Sequence, residues 1–598
     1  MSDRTGAEII MDGLTDQSVP YLVGLCGHAD IGLLEAARDR QDKIRTMLVH
    51  HEQTAGFIAD AYYRVTQQPL ATYTSVGPGS ANIHTSVANA LFDSSALLAI
   101  TGNVSTSQFN KGPFQELGLH HQADFVTAMR PYVKRSFHAP RADMLPDMMR
   151  HAFNSMLSGR RGPVHLDVPL NVFCERTDAQ PAFAEGWRRP GVYASGGVSH
   201  HLEAAMALLL GAERPVILAG HACLLDNAES EVLELAELTG IPVATTPQAK
   251  GVLDERHALC LGPTGRDGTY PANRATRGAD VLLALGTRFG DRSTSSWREG
   301  VTHSSSTKLI HVDIDPNQLG RNYAPTVGIV GSVRVVLRQL IQMVRQQQHG
   351  ALEASRARRK AWDQRFAGWQ AAWEATHAEV GSLPDIPIHP DRFVAEVAGA
   401  TPRNAIAVVD IGMNHTWMVQ QWKVPKGGRL LQSGGYAAMG FGVCGALGAQ
   451  LAAPDRPVVA VVGDGGFLMH NNAVATAVEY DLPVVWVIFN NTGYVSIRDL
   501  QKGAFGKDRE FASRFRRGVD GPLLSADFAM MGRSMGAEGI RVERPGDVGC
   551  AVQAALASRK PTVIDVIVES EVTRRTAGVL DFPPMWGAAP NYDPDPLP

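Results

Sequence analysis

The triplet Gly463-Asp464-Gly465 closes the apolar run 457–462, and the pair Asn490-Asn491 closes the next apolar run, 483–489, with a helix-like stretch, 468–480, between them. Two strands joined by such a crossover run parallel. Their carboxyl ends therefore open on one edge of the sheet, where open α/β sheets bind ligands. That geometry brings Asp464 and Asn491 together. A carboxylate, an amide oxygen and a loop carbonyl, here that of Gly493, are hard oxygen donors suited to octahedral Mg2+, whose remaining positions go to waters and phosphate oxygens. Gly465 and Gly466, with no Cβ, let a diphosphate approach the chain. An ordinary strand-turn-helix with a chance asparagine pair would carry the same residues, so the reading needs a second half elsewhere.

That half lies near the N-terminus. Residues 44–49 read as a short strand and 51–61 as a helix with its small residues turned inward. Glu52 falls in the first turn of this helix, where a solvated glutamate is also favourable. GDG followed by 24 residues and NN, with a Glu at a strand-to-helix junction, resembles the signature of thiamine-diphosphate enzymes. The resemblance gives Glu52 the task of holding its carboxylate against N1′ of the aminopyrimidine, which drives that ring to its imino tautomer.

Further blocks, 74–82, 93–102, 162–169, 310–316 and 433–442, are similar to those of the acetolactate synthase branch, and the likeness runs from about residue 5 to 570. It implies a cofactor site built from Glu52, Pro78, Asn82, Asn414, Ala437, Met439, Gly465, Gly466, Asn491 and Tyr494, with Asp464, Asn491 and Gly493 on the metal. Met439 matches the bulky residue that bends thiamine into a V, and Ala437 would offer its carbonyl to the amino group. A methionine beside Gly440, Gly442 and Gly445 is equally a gap-filling core residue. FAD is implied as a second cofactor, on Gly265, Arg288, Arg292 and Asp313. Here the chain departs from the branch, with Arg266-Asp267 where a Met-His pair is usual.

The acceptor region departs further, reading Thr492-Gly-Tyr494-Val-Ser-Ile497-Arg498. The branch's active-site Phe-Gln pair aligns either with Phe114-Gln115 or, without a gap, with His120-His121. A histidine pair could move protons, and His28, at the end of a strand, would add a third. Two reactions stay open at this point. In one, a 2-ketoacid or α-diketone gives an acyl group that is joined to a second carbonyl. In the other, decarboxylation or C–C hydrolysis proceeds with His28 and His121 as proton donors. A catalytically silent regulatory relative is the alternative from another class.

Composition fits a large α/β enzyme: 598 residues, 44% hydrophobic, and a formal net charge of -4. With neither basic excess nor a long Lys/Arg run, no nucleic acid or anionic membrane is expected as partner. Six scattered cysteines without a CxxC pair point to reduced thiols and a cytoplasmic location. No apolar run reaches the roughly 18 residues of a membrane span. Strand-helix alternation recurs three times, predicting three doubly wound parallel-sheet domains: a pyrimidine-binding domain over 1–190, a central domain over 191–345, and a diphosphate-binding domain over 391–570. A charged linker, 346–390, precedes the third, and a Pro-rich tail, 571–598, follows it. The resemblance also implies a homodimer or homotetramer with active sites between subunits.

Overall fold

The computed structural model describes residues 3–116, 124–183, 187, 194–347, 349–378 and 380–572. They form three six-stranded sheets, each parallel throughout, as the recurring strand-helix pattern predicts. Parallel strands are covered by helices on both faces, which is why runs such as Val458–Gly463 and Val484–Asn490 are apolar without alternation.

Across the first sheet the strands lie in the order Arg45–Leu48, Tyr21–Leu25, Leu70–Thr74, Leu97–Asn103, Val164–Pro169, Arg135–His138. The second runs Cys260–Pro263, Val243–Thr245, Pro215–Ala219, Val281–Leu285, Lys308–Asp313, Val327–Val330. The third runs Arg429–Gln432, Ile406–Val409, Val458–Gly463, Val484–Asn490, Thr562–Ile567, Glu538–Val542. In each order one reversal leaves a crevice at the carboxyl ends of two neighbouring strands, and the first and third sheets reverse again at the far edge. In the first sheet the crevice lies between the strands that lead to His28 and Pro78, and in the third between those that lead to Asp410 and Asp464. The corresponding crevice of the middle sheet carries His221 and Arg288.

The outer domains share one core. Helix Glu52–Thr66 lies on helix Phe441–Ala452, and Phe57, Ile58, Phe441, Leu447 and Trp486 belong to a single apolar cluster. Contact is close because the facing residues are small: a Cβ on Gly448 would stand 2.2 Å from the carbonyl oxygen of Ile58. Arg64 crosses the same seam. It pairs with buried Asp60 at 2.7 Å and Asp93 at 3.0 Å, and lies 4.7 Å over the ring of Phe441.

The middle domain has its own core, and the predicted linker belongs to it. Helix His349–Ala378 buries Trp362 and Phe366 against the middle sheet with Leu282 and Phe289. None of the six cysteines is in a disulfide. Among the described residues, no helix is long and apolar enough to cross a membrane.

Candidate active site

The third sheet's crevice is built around two carboxylates that end adjacent strands. Asp464 is 2% exposed; its Oδ1 accepts from Gly465 N at 2.7 Å and its Oδ2 from Gly493 N at 3.0 Å. Burial pushes its carboxyl up to about 6, against the opposing hydrogen bonds of the surrounding backbone N–H groups. A divalent cation in contact would offset that desolvation. Asn491 is enclosed, and its side-chain amide makes no hydrogen bond among the described residues. Its neighbour Asn490 is committed elsewhere, donating to Asp565 at 2.8 Å and Ser525 at 2.9 Å. A desolvated carboxylate beside an unengaged amide fits a hard cation.

The expected glycines have a partly different cause. A Cβ on Gly465 would lie 2.3 Å from Cε1 of Tyr494, and one on Gly466 would lie 2.0 Å from Oδ2 of Asp410. Close packing of the protein on itself thus requires both. Asp410, missed by motif reading, is fully buried and accepts from Gly440 N at 2.9 Å and Gly442 N at 3.2 Å. Its signal was present: like Asp464, it ends an apolar strand. Gly493 donates its N–H to Asp464, and its φ of 146° suits glycine.

A cavity of about 140 Å³ opens above, with Gly412, Asn414, Met439, Asp464, Asn491 and Tyr494 in its walls. Asn414 turns its Nδ2 to the carbonyls of Asp410 (2.8 Å) and Val461 (3.2 Å). Ala437 holds a φ of 59°, a left-handed conformation uncommon outside glycine and one that clusters at functional sites. Two guanidiniums from the middle domain, Arg266 and Arg292, also line this cavity. Glu52 is not among its walls.

Glu52 stands at the first sheet's edge, 6% exposed, in the first turn of its helix. Asn82 Nδ2 donates to its Oε2 at 2.9 Å. Asn82 ends the short helix Pro78–Asn82, which Pro78 opens after Gly77 with φ 65°. At the same edge a Cβ on Gly77 would meet the carbonyl oxygen of Gln115 at 2.5 Å, and the ring of exposed His28 lies 6.0 Å from that of Phe114. Gln115 and His28 therefore flank the Gly77–Pro78 turn. His121 lies outside the described residues.

The four residues expected to hold FAD divide into two groups. Arg288 and Asp313 line one cavity with His221 and Arg160. Gly265 and Arg292 are engaged within the protein instead. Asn273 bonds both the N–H (2.7 Å) and the carbonyl (2.9 Å) of Gly265. Arg292 Nη2 is 2.5 Å from the fully buried carboxylate of Asp267 and 3.1 Å from His415 Nδ1, and Asp267 accepts from Thr416 Oγ1 at 3.1 Å.

Three family models match the chain in order: the N-terminal TPP binding domain of thiamine pyrophosphate enzymes over residues 4–124, the central domain over 202–340, and the C-terminal TPP binding domain over 410–566. A probable acetolactate synthase large subunit of Methanocaldococcus jannaschii is 34% identical, covering 94% of this chain and 92% of the relative. Another from Methanococcus aeolicus is 32% identical with the same coverage, and the large subunit of acetolactate synthase isozyme 1 of Escherichia coli is 31% identical over 95% of this chain and 94% of its own length. The chain belongs to the thiamine pyrophosphate enzyme family, in its acetolactate synthase-like branch.

Proposed function

We propose that this protein is a thiamine-diphosphate- and Mg2+-dependent carboligase that takes an acyl group from a 2-ketoacid or α-diketone and joins it to a second carbonyl compound. The observation that carries this reading is the pairing of an enclosed Asp464–Asn491 site with an enclosed, amide-fixed Glu52 in a chain whose relatives are named acetolactate synthases. When bound, the cofactor supplies the carbon nucleophile and the electron sink. Asp464 and Asn491 would hold the metal on the diphosphate. Glu52, fixed by Asn82, would hold the proton at N1′ of the pyrimidine, while Met439 and Ala437 shape the wall against which the cofactor bends. Arg266, in the wall of the same cavity, gives it a cationic group suited to the carboxylate of a ketoacid.

Two copies of the chain would complete each site. The cavity above Asp464 is walled by the middle and C-terminal domains, while Glu52 belongs to the N-terminal one, so a second subunit's Glu52 edge is the natural cover. A homodimer is then the smallest active unit. The relatives support ligation over plain decarboxylation or hydrolysis through His28 and His121, and the complete set of Glu52, Asp464 and Asn491 supports an active enzyme over a silent one.

Incubation of the purified protein with thiamine diphosphate, Mg2+ and pyruvate, with products identified by mass spectrometry, tests the reading. A ligated hydroxy-ketoacid that forms only with the cofactor is expected. Acetaldehyde and carbon dioxide alone, with or without an added aldehyde or ketoacid acceptor, would overturn ligation.

A further inference from the structure

The middle sheet reverses its order between Pro215–Ala219 and Val281–Leu285, the position at which open parallel sheets take nucleotides. Gly220 and Gly286 follow these strands so closely packed that a Cβ on Gly220 would stand 2.2 Å from the Gly286 oxygen. Over this point sits a cavity between the N-terminal and middle domains. Gly286, itself in the wall of the cavity, brings no side chain of its own into it.

The cations around that cavity are not equivalent. Arg160 is occupied by the carbonyl of Leu91 and the hydroxyl of Ser94, both at 2.9 Å. Arg161 is occupied by the carbonyl of Leu225 at 2.5 Å and by Asp226 at 3.6 Å. Arg288 makes no hydrogen bond or ion pair among the described residues, yet it lines the cavity and burial draws its pKa down, with Asp93 and Asp313 as opposing charges. A half-buried guanidinium that makes no hydrogen bond leaves its fork open to an anion, and that fork matches phosphate. Asp313 ends the neighbouring strand, 6% exposed, and one of its oxygens accepts from Asp315 N at 2.9 Å. The carboxylate is placed to accept from ribose hydroxyls.

A flavin attached to that diphosphate has no comparable seat. To reach Gly265 it must run along the sheet edge from Val281–Leu285 past two strands to Cys260–Pro263, roughly 14 Å at the usual interstrand spacing. There Asp267, with no side-chain exposure, is held by Arg292 and Thr416, and this cluster ties the middle domain to helix Met413–Gln421. Prising the pair apart for a neutral ring would leave a buried charge uncompensated. We infer that the cavity binds a nucleoside diphosphate carrying no flavin, clamped between Arg288 of the middle domain and the N-terminal domain's Gly159–Arg161 turn.

The test uses the holoenzyme, saturated with thiamine diphosphate and Mg2+ so that the catalytic diphosphate site is filled, and titrates ADP, FAD and inorganic pyrophosphate separately by calorimetry. ADP is expected to bind at one site per chain, at least ten-fold more tightly than FAD or pyrophosphate. Arg288→Ala should weaken ADP at least ten-fold, and Arg288→Lys less, with thiamine diphosphate affinity unchanged in both. FAD binding as tight as ADP, or a protein purified yellow with bound flavin, would overturn the inference. So would pyrophosphate matching ADP, no binding of ADP, or ADP affinity indifferent to both substitutions.

Discussion

Asn82 Nδ2 stands 2.9 Å from Glu52 Oε2, joining the last residue of one short helix to the first residue of another. The second carboxylate oxygen is hemmed in as well, since a Cβ on Gly79 would come within 3.2 Å of Oε1. Glu52 is thus held in one orientation. Asn82→Ala removes the amide but not the acid, so turnover should fall about ten-fold, equivalent to roughly 1.4 kcal/mol, with little change in thiamine diphosphate affinity. Steady-state kinetics beside a binding titration check this; an unchanged kcat would mean that Asn82 does not position Glu52.

Asp464→Ala should act on affinity instead. The carboxylate would bridge metal to diphosphate, so its loss should weaken Mg2+-dependent thiamine diphosphate binding by roughly 100-fold or more, about 3 kcal/mol. Fluorescence titration with and without Mg2+ separates metal-dependent from metal-independent binding. Equal affinity of variant and wild type would remove Asp464 from the metal site.

The seam between the outer domains gives a prediction about stability. Gly448 leaves no room for a side chain against Ile58. Gly448→Ala should force the two helices apart and cost about 1–3 kcal/mol, read as an earlier urea midpoint, whereas Gly399→Ala, where a Cβ meets nothing within 4 Å, should not. Equal midpoints would show that the helices adjust without strain.

His303 predicts acid sensitivity. It is 5% exposed between Phe289 and Tyr323, and burial alone lowers its pKa to about 3. A depressed histidine means that the unfolded chain binds the extra proton as pH falls below about 6.5, so stability is full above that pH and declines toward 3. At pH 5 the decline is on the order of 2 kcal/mol. His303→Phe should lessen the drop in unfolding midpoint between pH 7 and pH 5; an identical drop would show that His303 is protonated at little cost in the folded protein.

Three parallel sheets and the placing of Asp464 and Asn491 at one sheet edge were legible in the sequence because both rest on local pattern: apolar runs of strand length ended by Gly-Asp or Asn-Asn. Less was legible where partners are distant. Nothing near Arg292 in sequence shows that it would be spent on Asp267 and His415, and Gly466 gives no hint that Asp410, 56 positions earlier, sets its size limit. The helix His349–Ala378 falls in the stretch read as a charged linker, since charge marks its composition, while three-dimensional packing turns Trp362 and Phe366 inward.

Glu52 can be tested most directly by following the C2 proton of bound thiamine diphosphate. Exchange into deuterium oxide, stopped by acid and read by proton NMR, reports cofactor activation before any substrate is involved. Wild-type protein should exchange far faster than free cofactor, and Glu52→Gln, with the cofactor still bound, should lose roughly 10²- to 10⁴-fold of that rate. An unchanged exchange rate in the Gln variant would contradict Glu52 as the activating acid.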